Sequence, residues 1–364
     1  MQHRITKPSN LLDKQGELIQ KGYATSPLLR YQRKDAAWKL RLKEWDYYLI
    51  YNNNYAIALT VAQSTSIVLI SASFINFNDK TERTKTFVRV VPHMSMPQSS
   101  KTGDIQYQDS EVNVSIRHVN HQREINLWIK DFNQQENTII DTLVQSIQKP
   151  IDEQKDNDRQ LELCITLSPE PKDSMTIATP FKESKKQFYY NQKIIGMIAS
   201  GSVKTGDKTY FFAPYESFGL LDWGRGIWPY KTTWYWGASQ GFVDGNLFGF
   251  NLGYGFGDTS AATENMLFFN GHGNKLDDVT FHIPKNTRDE YEYMKPWIIT
   301  SSDRRLNLKF TPILDRNANL SIIILSTNQH QVFGKYSGTA VLDDSTIIYL
   351  NDFLGFAERV ENRW

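Results

Sequence analysis

The stretch "TTWYWGASQGFVDGNLFGFNLGYGFG", residues 232–257, decides the fold. Asp244-Gly245 near its middle signals a two-residue type I′ hairpin turn, whose central positions both need positive φ. With that turn as the loop, Val243 pairs with Asn246 and the register runs outward. Gln240 then opposes Gly249, Ala238 opposes Asn251, Trp236 opposes Gly253 and Trp234 opposes Gly255. Side chains alternate across a strand, so these residues share one face. The other face carries Tyr235, Ser239, Phe248, Phe250, Leu252 and Tyr254. It is mostly apolar and aromatic, suited to packing on a core or a second barrel. On the first face, two indoles stand over glycines with Gln240 and Asn251 beside them. Glycine inside a strand marks close approach of another group. That group is either a ligand, which makes the face a pocket floor, or the indoles themselves.

The same signals recur on both sides. "WDYYLIYNNNYAIALTVAQ" is two β-rich runs around an Asn-rich turn at residues 52–54. "TSIVLISASFINF", "TKTFVRVV", "EVNVSIRHVNHQREINLWI" and "RQLELCITL" follow. "KIIGMIASGSVKTGDKTYFF" reads as a hairpin turning near Thr205 and Gly206. "TENMLFFNGHGNKLDDVTF" is another, with Asn270-Gly271 as its turn. "RLNLKFTPIL", "ANLSIIILSTN" and "VFGKYSGTAVLDDSTIIYL" close the chain. One amphipathic helix is predicted over residues 137–150, with Ile139, Ile140, Leu143, Val144 and Ile147 on one face and Pro150 as its stop. The polar run after it reads as an exposed connector. Many short strands joined by hairpins mean antiparallel sheets. Roughly eight or nine strand signals lie on each side of residues 205–230, enough for two barrels of about eight strands each.

Composition narrows the function classes. The 364 residues suit two domains, and 41 basic against 40 acidic residues leave a net charge of +1. That balance gives no argument for nucleic acid or an anionic membrane as partner. The single cysteine, Cys164, excludes an internal disulfide; lying in "LELCITL", it is expected to be a small buried hydrophobe. No signal peptide is read at the start, and no apolar run approaches the ~20 residues of a membrane helix. A cytoplasmic location is expected, in which sequons at Asn113 and Asn319 carry no meaning.

The chemistry centres on "LLDWGRGIWPYKTTWYW", residues 220–236, which holds four of the nine tryptophans. No metal ligand spacing, nucleophile elbow or Walker A loop exists. "GYGFGDTS" fails the dinucleotide fingerprint, because Asp258 stands where Gly is required. No metal and no cofactor are expected. What remains is Asp222, Arg225 and Glu264 as candidate catalytic groups. Trp223, Trp228, Tyr230, Trp234, Trp236, Gln240 and Asn251 are the candidate ligand-binding groups. An Asp among indoles is partly desolvated, which raises its pKa and suits a general acid, whereas a nearby Arg lowers it. Indole faces stabilise a developing carbocation. Asp222 and Glu264 across a cleft would instead make a glycosidase-like pair. The structural alternative is an Asp222–Arg225 ion pair acting as a strut. His272, just past its turn, is expected to be exposed.

The motifs "GLLDWGRGIWPY", "WYWG", "DGNLFGFNLGYGFG", "TENMLFFNGHGNKLDDVTF", "FGKYSGTAVLDD" and "GFAERVENRW" resemble the bacterial family of unknown function 2804 over nearly the whole chain. More distantly, "GLLDWGRG" followed by "WYWG" is similar to the tandem lipocalin-like proteins of the carotenoid hydratase (hydroxyneurosporene synthase) and tocopherol cyclase group. That resemblance implies two lipocalin-like β-barrels, and places Asp222 at the position of the group's acid. The chain departs from the pattern at Gly224, where the group has Glu, and Arg225 follows. The hydratase's His has no counterpart.

The expectation is therefore an all-β protein of two tandem lipocalin-like barrels, residues 1–215 and 216–364. Its Trp-rich pocket near the barrel junction would bind a small, largely apolar molecule, with hydratase, isomerase or cyclase chemistry at Asp222. A lipid or metabolite carrier and a sugar-acting enzyme are the alternatives.

Overall fold

The computed structural model describes residues 2–64, 67–90, 94–133, 159–322 and 325–363. The helix predicted over residues 137–150 lies outside the described residues. Among these the chain is nearly all β, in two curled antiparallel half-barrel sheets. No α-helix occurs among the described residues; the short 3-10 turns include Arg33–Asp35 and Lys39–Arg41.

The chain forms two compact units. The first comprises Lys39–Glu170 and Met197–Arg225, and the second Met1–Trp38, Pro171–Gly196 and Gly226–Trp364. In the first unit, Thr81–Val90, Ile67–Asn76, Tyr55–Ser64, Leu42–Tyr51 and Phe218–Ile227 lie side by side in that order. The Asn52–Asn54 turn is seen, with Asn52 N–H bonded to the Tyr55 carbonyl. Ile105–Gln108, Val112–Val119, Gln122–Ile129 and Leu161–Ser168 form an antiparallel ladder ending on residues 198–205. Lys208–Phe212 turns back along the last of these through Gly206.

Period-two burial orders this ladder. Val112, Val114 and Ile116, then Ile125, Leu127 and Ile129, then Leu161, Leu163, Ile165 and Leu167 all point inward. Cys164 falls on the opposite parity and is exposed, which corrects its expected burial. Its chemical type suggested the core, but the alternation of its neighbours turns it to solvent.

The second unit holds a nine-stranded antiparallel sheet, whose middle is formed by Lys231–Val243 between Asn246–Tyr254 and Ile347–Arg363. The hairpin register is the one expected: Val243 opposes Asn246, Gln240 opposes Gly249, Ala238 opposes Asn251 and Trp236 opposes Gly253. Asp244 and Gly245 adopt φ of 48° and 76°, as a type I′ turn requires. Asn270 and Gly271 repeat this at 48° and 78°, with Phe269 opposite His272. His272 is exposed as expected. The apolar face of the hairpin packs into the core of this sheet, where Phe248, Phe250 and Leu252 meet Trp297, Phe310 and Tyr336.

Candidate functional site

Phe218–Ile227, "FGLLDWGRGI", is buried along its whole length. A strand covered on both faces needs a partner for every charge it carries. Asp222 and Arg225 lie three positions apart, so alternation turns them to opposite faces.

On one face the Arg225 guanidinium is fully enclosed. It donates from Nη1 to the carbonyls of Trp45 (2.7 Å) and Gly224 (2.8 Å), and from Nη2 to the Pro97 carbonyl (2.8 Å) and Asp46 Oδ1 (3.0 Å). Glu44 Oε1 stands 3.6 Å from Nε. The guanidinium also lies over the Trp223 ring, 4.1 Å from its centroid. The ion pairs of Arg225 are thus with Asp46 and Glu44, not with Asp222. Its fork is used in a fixed arrangement suited to holding strand and loop together.

Glu44, Asp46 and Tyr48 alternate along Leu42–Tyr51 and are all buried. Burial raises the Asp46 carboxyl above the ordinary carboxylate range, against the attraction of Arg225. Burial likewise pushes the Tyr48 phenol up to about 12. Arg123, also buried, donates to Tyr48 Oη (3.4 Å), the Ser100 carbonyl (2.5 Å) and Glu170 Oε1, and its Nη1 lies 2.6 Å from His118 Nε2. Desolvation, with Arg123 adding to it, lowers the pKa of His118. Arg123 therefore ties Tyr48, the Ser100 carbonyl, Glu170 and His118 into one polar cluster, while Asp46 is bonded to Arg225.

On the other face of Phe218–Ile227, the Trp45 indole covers Gly224. A Cβ at Gly224 would stand 2.0 Å from the Trp45 ring. So placed, Trp45 donates from Nε1 to Asp222 Oδ2 at 3.3 Å. Asp222 itself is only 7% exposed.

The second unit collects most of the candidate tryptophans. Trp228 touches Phe181, Tyr189, Trp234 and Phe256, with ring centroids 5.4–6.1 Å away. Tyr189 stacks on Phe256 at 5.1 Å and donates from its hydroxyl to Glu264 Oε2 at 3.4 Å. Trp236 donates to Asn251 Oδ1 (2.7 Å), and the Asn251 amide donates to the Glu264 carbonyl (2.8 Å). Trp234 donates to Glu358 Oε1 at 2.9 Å. The Lys193 ammonium lies 4.0 Å from the Trp236 ring centroid, a buried cation–π contact. Gln240 accepts from the Gly196 N–H. The hairpin glycines make room for neighbouring groups. A Cβ at Gly253 would meet Glu264 Oε1 at 2.2 Å, and one at Gly249 would meet the Ile195 side chain at 2.7 Å. Tyr230 is half-exposed.

The structure thus brings Asp222 together with Trp45 and Gly224, and Arg225 with Trp223. Separately, it brings Glu264 together with Trp236, Asn251 and the ring cluster. Asp222 and Glu264 belong to different units. Trp45, Asp46, Tyr48, Arg123, Lys193, Tyr189 and Phe256 were missed from the sequence. The signal available for Asp46 and Tyr48 was "KEWDYY", where they share with Glu44 the inward parity of a half-buried strand. Among the described residues, no group of three or more His, Cys, Asp or Glu side chains is placed to hold a metal ion. No described helix is long and apolar enough to cross a membrane.

The family model described as domain of unknown function, DUF2804, matches residues 2–364. No curated protein matches the chain. Among solved structures, an AttH-like protein from Nitrosomonas europaea is similar at 9% identity, with 89% of this chain and 92% of that one covered and a TM-score of 0.49. Kievitone hydratase from Nectria haematococca is similar at 11% identity, with 88% of each chain covered and a TM-score of 0.45. CghA with Sch210972 is similar at 9% identity, with 88% of each chain covered and a TM-score of 0.43.

Proposed function

We propose that this chain, which belongs to the DUF2804 family, is a cytoplasmic acid–base enzyme acting on a small, largely apolar molecule, with Asp222 as its proton donor. The observation that carries the reading is the separation of Asp222 from Arg225. Arg225 spends its ion pairs on Asp46 and Glu44 on one face of the strand. Asp222 stands on the other face, buried and bonded to the Trp45 indole N–H. That Arg225 is paired with Asp46 and Glu44 weighs against the reading of an Asp222–Arg225 pair as a strut. Protonation of a substrate double bond by Asp222 leaves a carbocation on the substrate and a carboxylate on the protein. The Trp45 N–H supports that carboxylate, and an indole face stabilises the cation. Water addition, proton loss elsewhere, or ring closure then completes hydration, isomerisation or cyclisation.

The test is untargeted mass spectrometry of a small-molecule extract incubated with the wild-type chain or with Asp222→Asn. A compound depleted by the wild type and untouched by the variant supports the reading. Equal depletion by both removes it. The ring cluster of Trp228, Trp234, Tyr189 and Phe256 in the second unit favours a second reading, a carrier of an apolar metabolite. Its mark would be a compound that co-purifies and is returned unchanged.

A further inference from the structure

The outer face of the first unit's ladder carries a depression of about 480 Å³. That is within the volume range of small-molecule sites, roughly 300–1,000 Å³. It is built from two adjacent rungs across four strands. In one, Asn113 opposes Trp128, Trp128 opposes Glu162, and Glu162 opposes Lys204. In the next, Ser115, Asn126, Cys164 and Ser202 stand opposite one another in the same way. Alternation puts all eight on the solvent side, since Val114, Leu127, Leu163 and Val203 between them point inward.

Most polar side chains of this face are unused by the fold. Trp128 Nε1 donates to Gln160 Oε1 at 2.9 Å. Among the described residues, the side chains of Asn113, Ser115, Asn126, Glu162, Ser202 and Lys204 make no hydrogen bond or ion pair. The next rung behaves differently: Arg117 and Glu124, also directly opposite, are paired at 2.6 Å. Glu162 and Lys204 face each other without pairing, and so leave a carboxylate and an ammonium open toward the depression.

We propose that this depression is a carbohydrate-binding site, separate from the acid–base machinery. Side-chain amides both donate and accept, and hydroxyls do likewise, which matches the alternating donors and acceptors of neighbouring sugar hydroxyls. An indole gives an apolar ring face a flat surface to rest on. Among the side chains turned to the solvent side, only Trp128 offers an apolar ligand a large apolar surface. An extended peptide finds no free edge, because the Val112–Val119, Gln122–Ile129 and Leu161–Ser168 strands are paired on both sides. A polyanion finds one ammonium facing one carboxylate.

Cys164, the chain's single cysteine, lies exposed inside the depression and reports on its occupancy. The experiment measures the rate of iodoacetamide alkylation of Cys164 in the full chain, with maltotriose, cellotriose or triacetylchitotriose present and glycerol as control. At least one trisaccharide should slow alkylation saturably by about threefold or more at concentrations below ~10 mM, whereas glycerol should not. Asn126→Ala and Trp128→Ala should each abolish the protection, and Arg117→Ala, outside the depression, should keep it. If Trp128→Ala fails to fold, Asn126→Ala alone decides. The proposal is overturned if none of the three sugars protects Cys164, or if protection survives Asn126→Ala.

Discussion

The Trp45 indole occupies the space over Gly224 that a side chain would fill, its ring 2.0 Å from the position of a Cβ there. This contact links residues 179 positions apart and sets the direction of the indole N–H toward Asp222. Gly224 is thus required for its lack of a side chain, and not for backbone conformation.

Gly224→Ala should displace Trp45 and cost about 1–3 kcal/mol through overpacking. Chemical denaturation followed by tryptophan fluorescence checks this. A variant as stable as the wild type with an unchanged emission spectrum would count against the packing described.

Arg225→Met should be among the most damaging single changes in the first unit. It leaves Asp46 and Glu44 buried without their guanidinium, a loss of about 3–5 kcal/mol. Arg225→Lys keeps the charge but cannot reach the Trp45, Gly224 and Pro97 carbonyls together, so it should recover only part of that loss. Urea midpoints of the two variants order the contributions of charge and geometry. Equal midpoints for both would mean that charge contributes nothing.

Asp46 gives the chain a pH signature. Burial raises its carboxyl above the ordinary 3.8, with Arg225 opposing. The folded chain therefore holds this proton more tightly than the unfolded chain. That contribution is fully present below the unfolded pKa and is lost as pH rises through the folded one. Asp46→Asn does not titrate, so it should remove this decline. Unfolding free energies across about pH 4 to 8 should fall less steeply with rising pH for Asp46→Asn than for the wild type. Parallel curves would contradict the shift.

In the second unit, Gly253→Ala should push the Glu264 carboxylate off its place beside the Tyr189 hydroxyl. The expected cost is about 1–3 kcal/mol, with a change in near-ultraviolet circular dichroism from the Trp228, Tyr189 and Phe256 cluster. An unaltered aromatic signal would show that Glu264 does not order these rings.

The central hairpin was legible because Asp244-Gly245 pins one register, and alternation then assigns every side chain a face. Its glycines were read as room for a ligand or for the indoles, but the side chains nearest Gly253 and Gly249 are Glu264 and Ile195. Parity was also enough to place Asp222 and Arg225 on opposite faces and Cys164 outside. Pairing the first two by proximity in sequence, and judging the third by its type, overrode that signal. The Trp45–Gly224 contact and the Asp46–Arg225 pair had no local signal. They arise where Leu42–Tyr51 is brought beside Phe218–Ile227 by the sheet order, which no short stretch encodes.

The most direct test of the central claim is Asp222→Asn measured for thermal unfolding and for depletion of the compound that the wild type consumes, on one preparation. A midpoint within ~2 °C of the wild type is expected, with depletion slowed by at least ~100-fold. A midpoint lowered by more than ~10 °C would make Asp222 a strut, and undiminished depletion would remove it from the chemistry.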